Sequence, residues 1–271
     1  MLECLVNGEI SDFVSTTNRG LNYADGLFET MLVHNGRPRR WQAHMDRLLT
    51  GCERLGLAMP PQAVLLREVQ TVSAGLTDAV VKIVLTRDGQ ARGYKPPVDN
   101  SCVRIVSAHF YPDGIAELTS KGIRARICKL RLAMQPALGG IKHLNRLEQI
   151  LASAELRDTG VAEGILLDTE AHVISAIAAN IFLVMDGNLL TPRMDRCGVQ
   201  GVVRGQILDE FATRSEQRRI KVDMLHEADE VFICNSVRGI VPLIAIDDQE
   251  YKIGPVTREL QAWLLDGVRQ K

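Results

Sequence analysis

The chain has 271 residues, which is enough for one large domain or two smaller ones. Its 46% apolar and 24% charged residues are ordinary for a globular protein and exclude extensive disorder. The 32 basic and 33 acidic residues give a formal net charge of −1, which argues against a nucleic-acid-binding protein.

We expect neither a membrane span, nor a secretory signal, nor a disulfide framework. No apolar stretch approaches the roughly 20 residues that a membrane-spanning helix needs. The N-terminal MLECLVNGEI lacks a cationic region followed by an apolar one. The six cysteines stand singly, without a C-x-x-C pair, which is typical of buried thiols in a reducing compartment.

The first part of the chain opens with two hairpin signals. Asn7-Gly8 and Asn35-Gly36 each stand between alternating apolar residues, the strongest short-range indication of a hairpin. The apolar spacing then predicts two helices followed by two strands, over about 41–56, 61–75, 79–87 and 101–110. Between these strands, DGQARGYKPPVDN is too long for a tight turn and is a candidate binding loop.

The pattern changes after Tyr111-Pro112-Asp113-Gly114, and we predict two α/β domains, 1–113 and 114–271. The most regular helix signal is HLNRLEQILASAELRDTG, which predicts an amphipathic helix ending at Gly160. Its predicted apolar face consists of Leu144, Leu147, Ile150, Leu151 and Ala154. The other predicted elements are a strand at 122–133, consecutive strands over 163–192, a helix at 201–213, a strand at 228–235 and a helix at 255–268.

Lys142 is the first residue that could carry chemistry. It follows Gly139-Gly140, where another group can approach the backbone closely, and it precedes the predicted helix. A lysine that forms a Schiff base must be partly desolvated and held on a rigid element. On local features alone, a solvated lysine in the first helical turn is the alternative.

Three further features suggest an anion site. Gly198 and Gly201 precede a helix, so the backbone N–H groups of Val202 and Val203 can hold a phosphate at its start. Asn235-Ser236 follows a buried strand, where small polar residues suit either phosphate contacts or a turn. Arg47 lies on a predicted helix face, where it either pairs with an anion or is solvated.

Several other kinds of site are not indicated. The six histidines do not cluster with Cys, Asp or Glu at metal-ligand spacing, so no metal is expected. The chain shows no dinucleotide-binding or P-loop pattern in DGQARGY, and no G-x-S-x-G elbow. The residues alone therefore favour an anion-binding enzyme with a candidate lysine.

These motifs occur in the same order in a known family, and the chain resembles the fold-type-IV pyridoxal-phosphate enzymes, the group of branched-chain and D-amino-acid aminotransferases. The run K-H-L-N-R-L-E-Q resembles a lyase branch of that family, whereas the other motifs mark the family as a whole. The matching segments are RGLNYADGLFET (19–30), AHMDRL (43–48), TRDGQARGY (86–94), GGIKHLNRLEQILA (139–152), AANIF (178–182), TPRMDRCGVQGVVR (191–204) and ADEVFICNS (228–236).

The resemblance implies a role for each matching residue. Lys142 matches the lysine that holds pyridoxal 5'-phosphate as a Schiff base, and Arg47 matches the arginine that binds its phosphate. Thr30 matches a threonine near the reacting carbon in the lyase branch. The implied backbone and turn contacts to the phosphate come from Val202, Val203, Asn235 and Ser236, and segments bordering the substrate contain Tyr23, Arg92 and Tyr94.

One position departs from the family pattern V-T-E-x-x-x-x-N-[ILV]-F. The corresponding run here is VISAIAANIF, which places Ser175 where a glutamate normally faces the pyridine nitrogen. A carboxylate would keep that nitrogen protonated and make the cofactor a strong electron sink. A neutral hydroxyl holds the proton less firmly, which favours elimination driven by aromatisation over transamination.

The resemblance implies an α/β fold of two domains with the cofactor between them. It also implies that the enzyme eliminates pyruvate from 4-amino-4-deoxychorismate to give 4-aminobenzoate for folate synthesis in the cytoplasm. The expected partners are a small-molecule substrate and a second copy of the chain, whose loops complete the site. Two alternatives remain open at this point: a D-amino-acid or branched-chain aminotransferase, and a family member that binds the cofactor without catalysis.

Overall fold

A computed structural model describes residues 2–89 and 93–269, and the chain contacts in it define two units. The first unit comprises Met1–Pro112 and Ile141–Asn145, and the second comprises Asp113–Gly140 and Arg146–Lys271. The chain thus returns to the first unit for five residues around Lys142, an exchange that no local sequence pattern predicts. Both units combine helices with β-sheet, so the predicted α/β class is confirmed.

The first unit is built on a six-stranded sheet in the order β2-β1-β6-β5-β3-β4. Its neighbouring strands run antiparallel, and β3 pairs along its whole length with β5. The strands are β1 (Cys4–Val6), β2 (Glu9–Ile10), β3 (Gly26–His34), β4 (Arg37–Pro38), β5 (Asp78–Arg87) and β6 (Cys102–Phe110).

Both predicted hairpins are present in this sheet. Asn7 and Gly8, with φ of 53° and 91°, join β1 to β2, and Asn35 and Gly36, with φ of 48° and 71°, join β3 to β4. Two consecutive residues of positive φ match the right-handed twist of the paired strands, and Asn-Gly supplies them at low cost. Local turn chemistry therefore fixes both registers.

Among the described residues of the first unit there are three helices: α1 (Arg19–Tyr23), α2 (Trp41–Leu55) and α3 (Gln62–Val72). The two longer ones correspond to the predicted helices. Helix α2 packs on β3 and buries Met45, Leu48 and Cys52, and it ends at Gly56, whose φ of 61° suits a left-handed cap. This packing brings the polar residues of α2 next to the middle of β3.

The second unit contains a ten-stranded sheet in which β16 pairs with β15 and the other strands follow the order β12-β11-β10-β14-β15-β7-β8-β9-β13. Stacked rings of Phe182 and Phe232, with centroids 5.1 Å apart, lie between adjacent strands in its core. The strands are β7 (Ile123–Leu132), β8 (Glu163–Asp168), β9 (His172–Ala176), β10 (Asn180–Met185), β11 (Asn188–Pro192), β12 (Ser215–Arg218), β13 (Ile220–Lys221), β14 (Glu230–Asn235), β15 (Gly239–Ile246) and β16 (Gln249–Glu250).

The helices of the second unit are α4 (Ile115–Lys121), α5 (Leu147–Ala154), α6 (Val202–Glu210), α7 (Asp223–Glu227) and α8 (Pro255–Arg269). Helix α4 begins directly after the predicted domain boundary, and α6 begins at the predicted position after Gly201. Of the predicted helix over 143–160, only α5 is formed, so both of its predicted ends are wrong.

The predicted apolar face of that helix is also wrong. Leu147, Ile150 and Leu151 are 74%, 62% and 59% exposed, whereas Ala152 is buried. The residues before Leu147 form backbone hydrogen bonds with β3 instead of a first helical turn. The amphipathic pattern therefore arises from two different environments. Residues before Leu147 lie against the edge of a sheet, and the apolar residues from Leu147 onward form an exposed face of α5.

All six cysteines are free, as predicted, although Cys102 is only partly buried. Within residues 2–89 and 93–269, no helix combines the length and apolarity that crossing a membrane requires.

Candidate active site

Lys142 lies in the short segment 141–145, which pairs with the edge of β3. Its carbonyl oxygen accepts a hydrogen bond from Phe28 N at 3.0 Å, and Leu144 N donates to Gly26 O at 3.0 Å. A Cβ on Gly26 would overlap Leu85 O, so the paired backbone requires glycine there. Lys142 is held by a strand, not by the helix that the sequence predicted, and the requirement for a rigid element is still met.

The side chain of Lys142 is half-buried beside an aromatic ring. Its Nζ lies 4.2 Å from the centroid of the Phe28 ring. Successive side chains of a strand point to opposite faces, so Phe28 and Thr30 share one face of β3 and Glu29 occupies the other. The structure therefore brings the candidate lysine to the face of β3 that carries the candidate threonine.

Arg47 contacts the opposite face of β3 through Glu29. Its Nε donates to Glu29 Oε1 at 2.8 Å, and its Nη2 donates to Glu29 Oε2 at 2.5 Å. His44 Nδ1 lies 2.6 Å from the same Oε2. The Arg47 side chain is only 11% exposed, so it is a largely buried, paired arginine and not a solvated helix-face residue.

The pKa values in this cluster follow from burial and pairing. Burial raises the pKa of Glu29, but the charge of Arg47 and hydrogen bonds from Arg47 and His44 outweigh it and lower that pKa to about 2. Burial also lowers the pKa of His44, despite the opposing effect of Glu29. Glu29 is therefore ionised and His44 neutral, and a neutral His44 must donate Nδ1–H to the carboxylate.

Two of the three residues predicted to border the substrate lie together. The rings of Tyr23 and Tyr94 meet edge to face with centroids 5.7 Å apart, and Gly93 N donates to Tyr23 Oη at 3.1 Å. Tyr94 is 89% exposed. Arg92, the third of these residues, lies outside the described residues.

In the second unit, the start of α6 packs against Asn180. Asn180 Nδ2 donates to Val199 O at 2.9 Å, and a Cβ on Gly201 would overlap Asn180 Oδ1. Val202 and Val203 are buried in the first turn, and no described side chain caps this helix end. The first N–H groups of a helix have no partner within it, so this end supplies backbone donors for an anion.

The predicted turn at Asn235-Ser236 lies close to this helix start. In the pairing of β10 with β14, Asn180 lies opposite Cys234, the residue that precedes Asn235. Asn235 Oδ1 accepts hydrogen bonds from Val237 N and Arg238 N, and its Nδ2 donates to Ala178 O at 3.1 Å. The Asn235 side chain thus shapes the turn, and Ser236 is half-buried within it.

Ser175 is buried on β9, opposite Leu166 of β8. Two acidic residues on or near these strands have arginine partners: Glu163 Oε2 lies 3.1 Å from Arg238 Nη1, and Glu170 Oε2 lies 2.9 Å from Arg196 Nη1. Burial raises the pKa of Glu163. Both carboxylates therefore pair with arginines of the second unit.

The expectation that no histidine clusters with acidic groups is wrong for His172. One ligand atom each of Asp168, Glu170 and His172 lies within 4.8 Å of the others at the turn between β8 and β9. These three residues are spaced two apart in the sequence, and it is the turn between two strands that brings their side chains together. A search for ligands at helical spacing does not find such a group. Sequence reasoning also missed Glu29, His44 and Asn180, of which Glu29 was recognisable as a charged residue at an inward position of an apolar strand.

This α/β fold agrees with the class of enzymes that the motifs suggested. The chain belongs to the family Amino-transferase class IV, which matches residues 26–246. The expected fold type is thereby confirmed.

Individual members of the family differ in how similar they are to this chain. Aminodeoxychorismate lyase of Vibrio harveyi is 34% identical over 266 residues, which covers 94% of this chain and 97% of that protein. The crystal structure of 4-amino-4-deoxychorismate lyase from Pseudomonas aeruginosa superposes with a TM-score of 0.92 at 42% identity, covering 97% of this chain and 98% of that one. D-alanine aminotransferase of Listeria monocytogenes is 25% identical over 290 residues, covering 98% of this chain and 96% of that protein.

Proposed function

We propose that this chain is a pyridoxal-phosphate-dependent carbon–oxygen lyase that converts 4-amino-4-deoxychorismate into 4-aminobenzoate and pyruvate. The observation that carries the proposal is the end-to-end similarity to two lyases of that name, at 34% and 42% identity. The aminotransferase in the comparison is less similar, at 25% identity. The lyase is therefore preferred over an aminotransferase of D- or branched-chain amino acids.

The residues present fit the cofactor. Lys142 is half-buried in a segment hydrogen-bonded to the edge of β3, and the buried start of α6, which has no side-chain cap, offers backbone donors for a phosphate. In the proposal, Lys142 binds pyridoxal phosphate covalently, whereas Arg47 and the N–H groups of Val202 and Val203 bind its phosphate. Asn235 and Ser236 form the turn beside that phosphate, and Ser175 faces the pyridine nitrogen.

When bound, the cofactor withdraws electrons from the carbon that carries the substrate amine. As a free amine, Lys142 Nζ would take the proton from that ring carbon. The neighbouring C–O bond then breaks, and the enolpyruvyl group leaves, takes up a proton and becomes pyruvate. Thr30, on the same face of β3 as Phe28, transfers protons between Lys142 and the leaving group. Tyr23, Tyr94 and Arg92 border the substrate.

We also propose an assembly and a cellular location for the enzyme. Leu147, Ile150 and Leu151 form an exposed apolar face on α5, and we propose that a second copy of the chain covers it in a homodimer. Because the product is a folate precursor, the proposal places the enzyme in the cytoplasm.

The test is a coupled assay of the purified protein with 4-amino-4-deoxychorismate that measures 4-aminobenzoate and pyruvate separately. We expect equal amounts of both products from the unmodified protein and neither from Lys142→Ala. Borohydride reduction should fix the cofactor to the peptide that contains Lys142. Lys82→Ala is the matched control and should still be labelled at Lys142, since Lys82 Nζ lies 5.2 Å from the same Phe28 ring. Recovery of the label on another lysine, or transamination without pyruvate release, would contradict the proposal.

A further inference from the structure

Glu29 and His44 form a buried polar cluster with Arg47 that the proposed reaction does not itself use. The Glu29 and His44 side chains are 1% and 0% exposed, and both Glu29 oxygens accept hydrogen bonds from Arg47. Burying an ion pair is costly and does not by itself stabilise a protein relative to apolar residues of similar size. A cluster of this kind therefore needs a reason other than stability.

The geometry of the cluster fixes the orientation of one group. A guanidinium held at both Nε and Nη2 by one carboxylate cannot rotate about its terminal bonds, and its Nη1 edge faces away from that carboxylate. His44, one helical turn before Arg47, donates to the same Glu29 oxygen and keeps the carboxylate from turning. The ionised Glu29 also balances the charge of Arg47, so this largely buried arginine is held in place by the protein itself.

We propose that Glu29 and His44 are positioning residues that hold the Arg47 guanidinium ready for the cofactor phosphate, and that they thereby set the preference for phosphorylated over unphosphorylated pyridoxal. This inference rests on the phosphate-binding role that the proposed function gives to Arg47. It adds two residues that touch neither the substrate nor the reacting atoms.

The test compares the dissociation constants of pyridoxal 5'-phosphate and of pyridoxal, which lacks the phosphate. Both are measured by the visible absorbance of the lysine-bound form, so no turnover is needed. We expect Glu29→Gln to weaken pyridoxal-phosphate binding about tenfold, since it removes the charge that orients the guanidinium, and to change pyridoxal binding less than about twofold. His44→Leu should likewise weaken pyridoxal-phosphate binding. His44→Asn keeps a donor near the Nδ1 position and should therefore bind pyridoxal phosphate almost as tightly as the unmodified protein.

A matched control separates positioning from general stability. Glu68 and Arg104 form another bidentate pair in the same unit, between α3 and β6, with Glu68 only 5% exposed. Glu68→Gln should lower the midpoint of thermal unfolding much as Glu29→Gln does, but leave the preference for the phosphorylated cofactor unchanged. If Glu29→Gln proves too unstable to purify, His44→Leu carries the same comparison.

The outcomes distinguish this inference from the function it rests on. If Arg47→Ala lowers the preference for pyridoxal phosphate but Glu29→Gln and His44→Leu do not, positioning is refuted and the role of Arg47 stands. If Arg47→Ala leaves the preference unchanged, both assignments fail. Adding Glu29→Gln to Arg47→Ala should cause no further loss, and a further loss would show that Glu29 acts independently of Arg47.

Discussion

Replacing Gly201 with alanine tests how closely the start of α6 packs against Asn180. The backbone at Gly201, with φ −68° and ψ 142°, is open to any residue, so the substitution brings no conformational strain. The new Cβ would overlap Asn180 Oδ1. Asn180 is 6% exposed and donates to Val199 O at 2.9 Å, so it cannot move away without losing that hydrogen bond.

The expected cost follows from these contacts. Overpacking a tightly packed site costs about 1–3 kcal/mol, and a lost buried hydrogen bond adds about 1 kcal/mol. We therefore expect Gly201→Ala to lower the free energy of unfolding by about 2–4 kcal/mol and to weaken binding of pyridoxal phosphate, because the donors of Val202 and Val203 shift. Gly205→Ala on the same helix is the control: nothing lies within 4 Å of its Cβ, and alanine should stabilise the helix by about 0.5–1 kcal/mol.

Urea unfolding followed by circular dichroism measures the stability, and absorbance titration measures cofactor binding. Asn180→Ala removes the group that the new methyl meets, so Gly201→Ala should cost much less in that background than in the unmodified protein. Strictly additive losses in the double variant would refute the contact as the cause. So would a Gly201→Ala protein as stable as Gly205→Ala.

Three further outcomes are expected. Ser175→Glu restores the carboxylate of the family pattern and should speed conversion of the cofactor to its pyridoxamine form with ordinary amino acids, followed by absorbance; an unchanged rate would show that position 175 does not face the ring nitrogen. Because folding lowers the pKa of both His44 and Glu29, the unfolded chain binds more protons, and stability should fall as pH drops below 6.5 and fall again below 4.5. In His44→Asn the decrease in stability below pH 6.5 should be absent, and the decrease below pH 4.5 should remain. Urea unfolding at a series of pH values measures both, and a variant that keeps the upper decrease would contradict the role of His44. If a second copy covers α5 as proposed, Ile150→Glu should lower the molar mass measured by light scattering from that of two chains to that of one, whereas Lys121→Glu, on an exposed helix face, should not.

The elements that the sequence predicts well are those fixed by neighbouring residues. The hairpins at Asn7-Gly8 and Asn35-Gly36 form because the turn residues adopt positive φ whatever surrounds them. Helix α6 begins at Val202 because glycine precedes it and an apolar pattern follows. The predicted helix over 143–160 shows the limit of periodicity, since its spacing is helical throughout but residues before Leu147 pair with β3 and only α5 forms.

The site shows the same division between local and distant causes. The motifs marked Lys142 and Arg47, but not what holds them, because β3 is more than 100 residues from Lys142 along the chain. Strand alternation then has a consequence that no motif contains: Phe28 and Thr30 lie on the face reached by Lys142, whereas Glu29 turns toward α2 and Arg47. Phe28 thus contacts the amine of Lys142, while its neighbour Glu29 holds the guanidinium of Arg47. A shift of one residue in the pairing of β3 would exchange the two sides, so the register of β3 with β5, continuous from Gly26 to His34, is what keeps both groups in place.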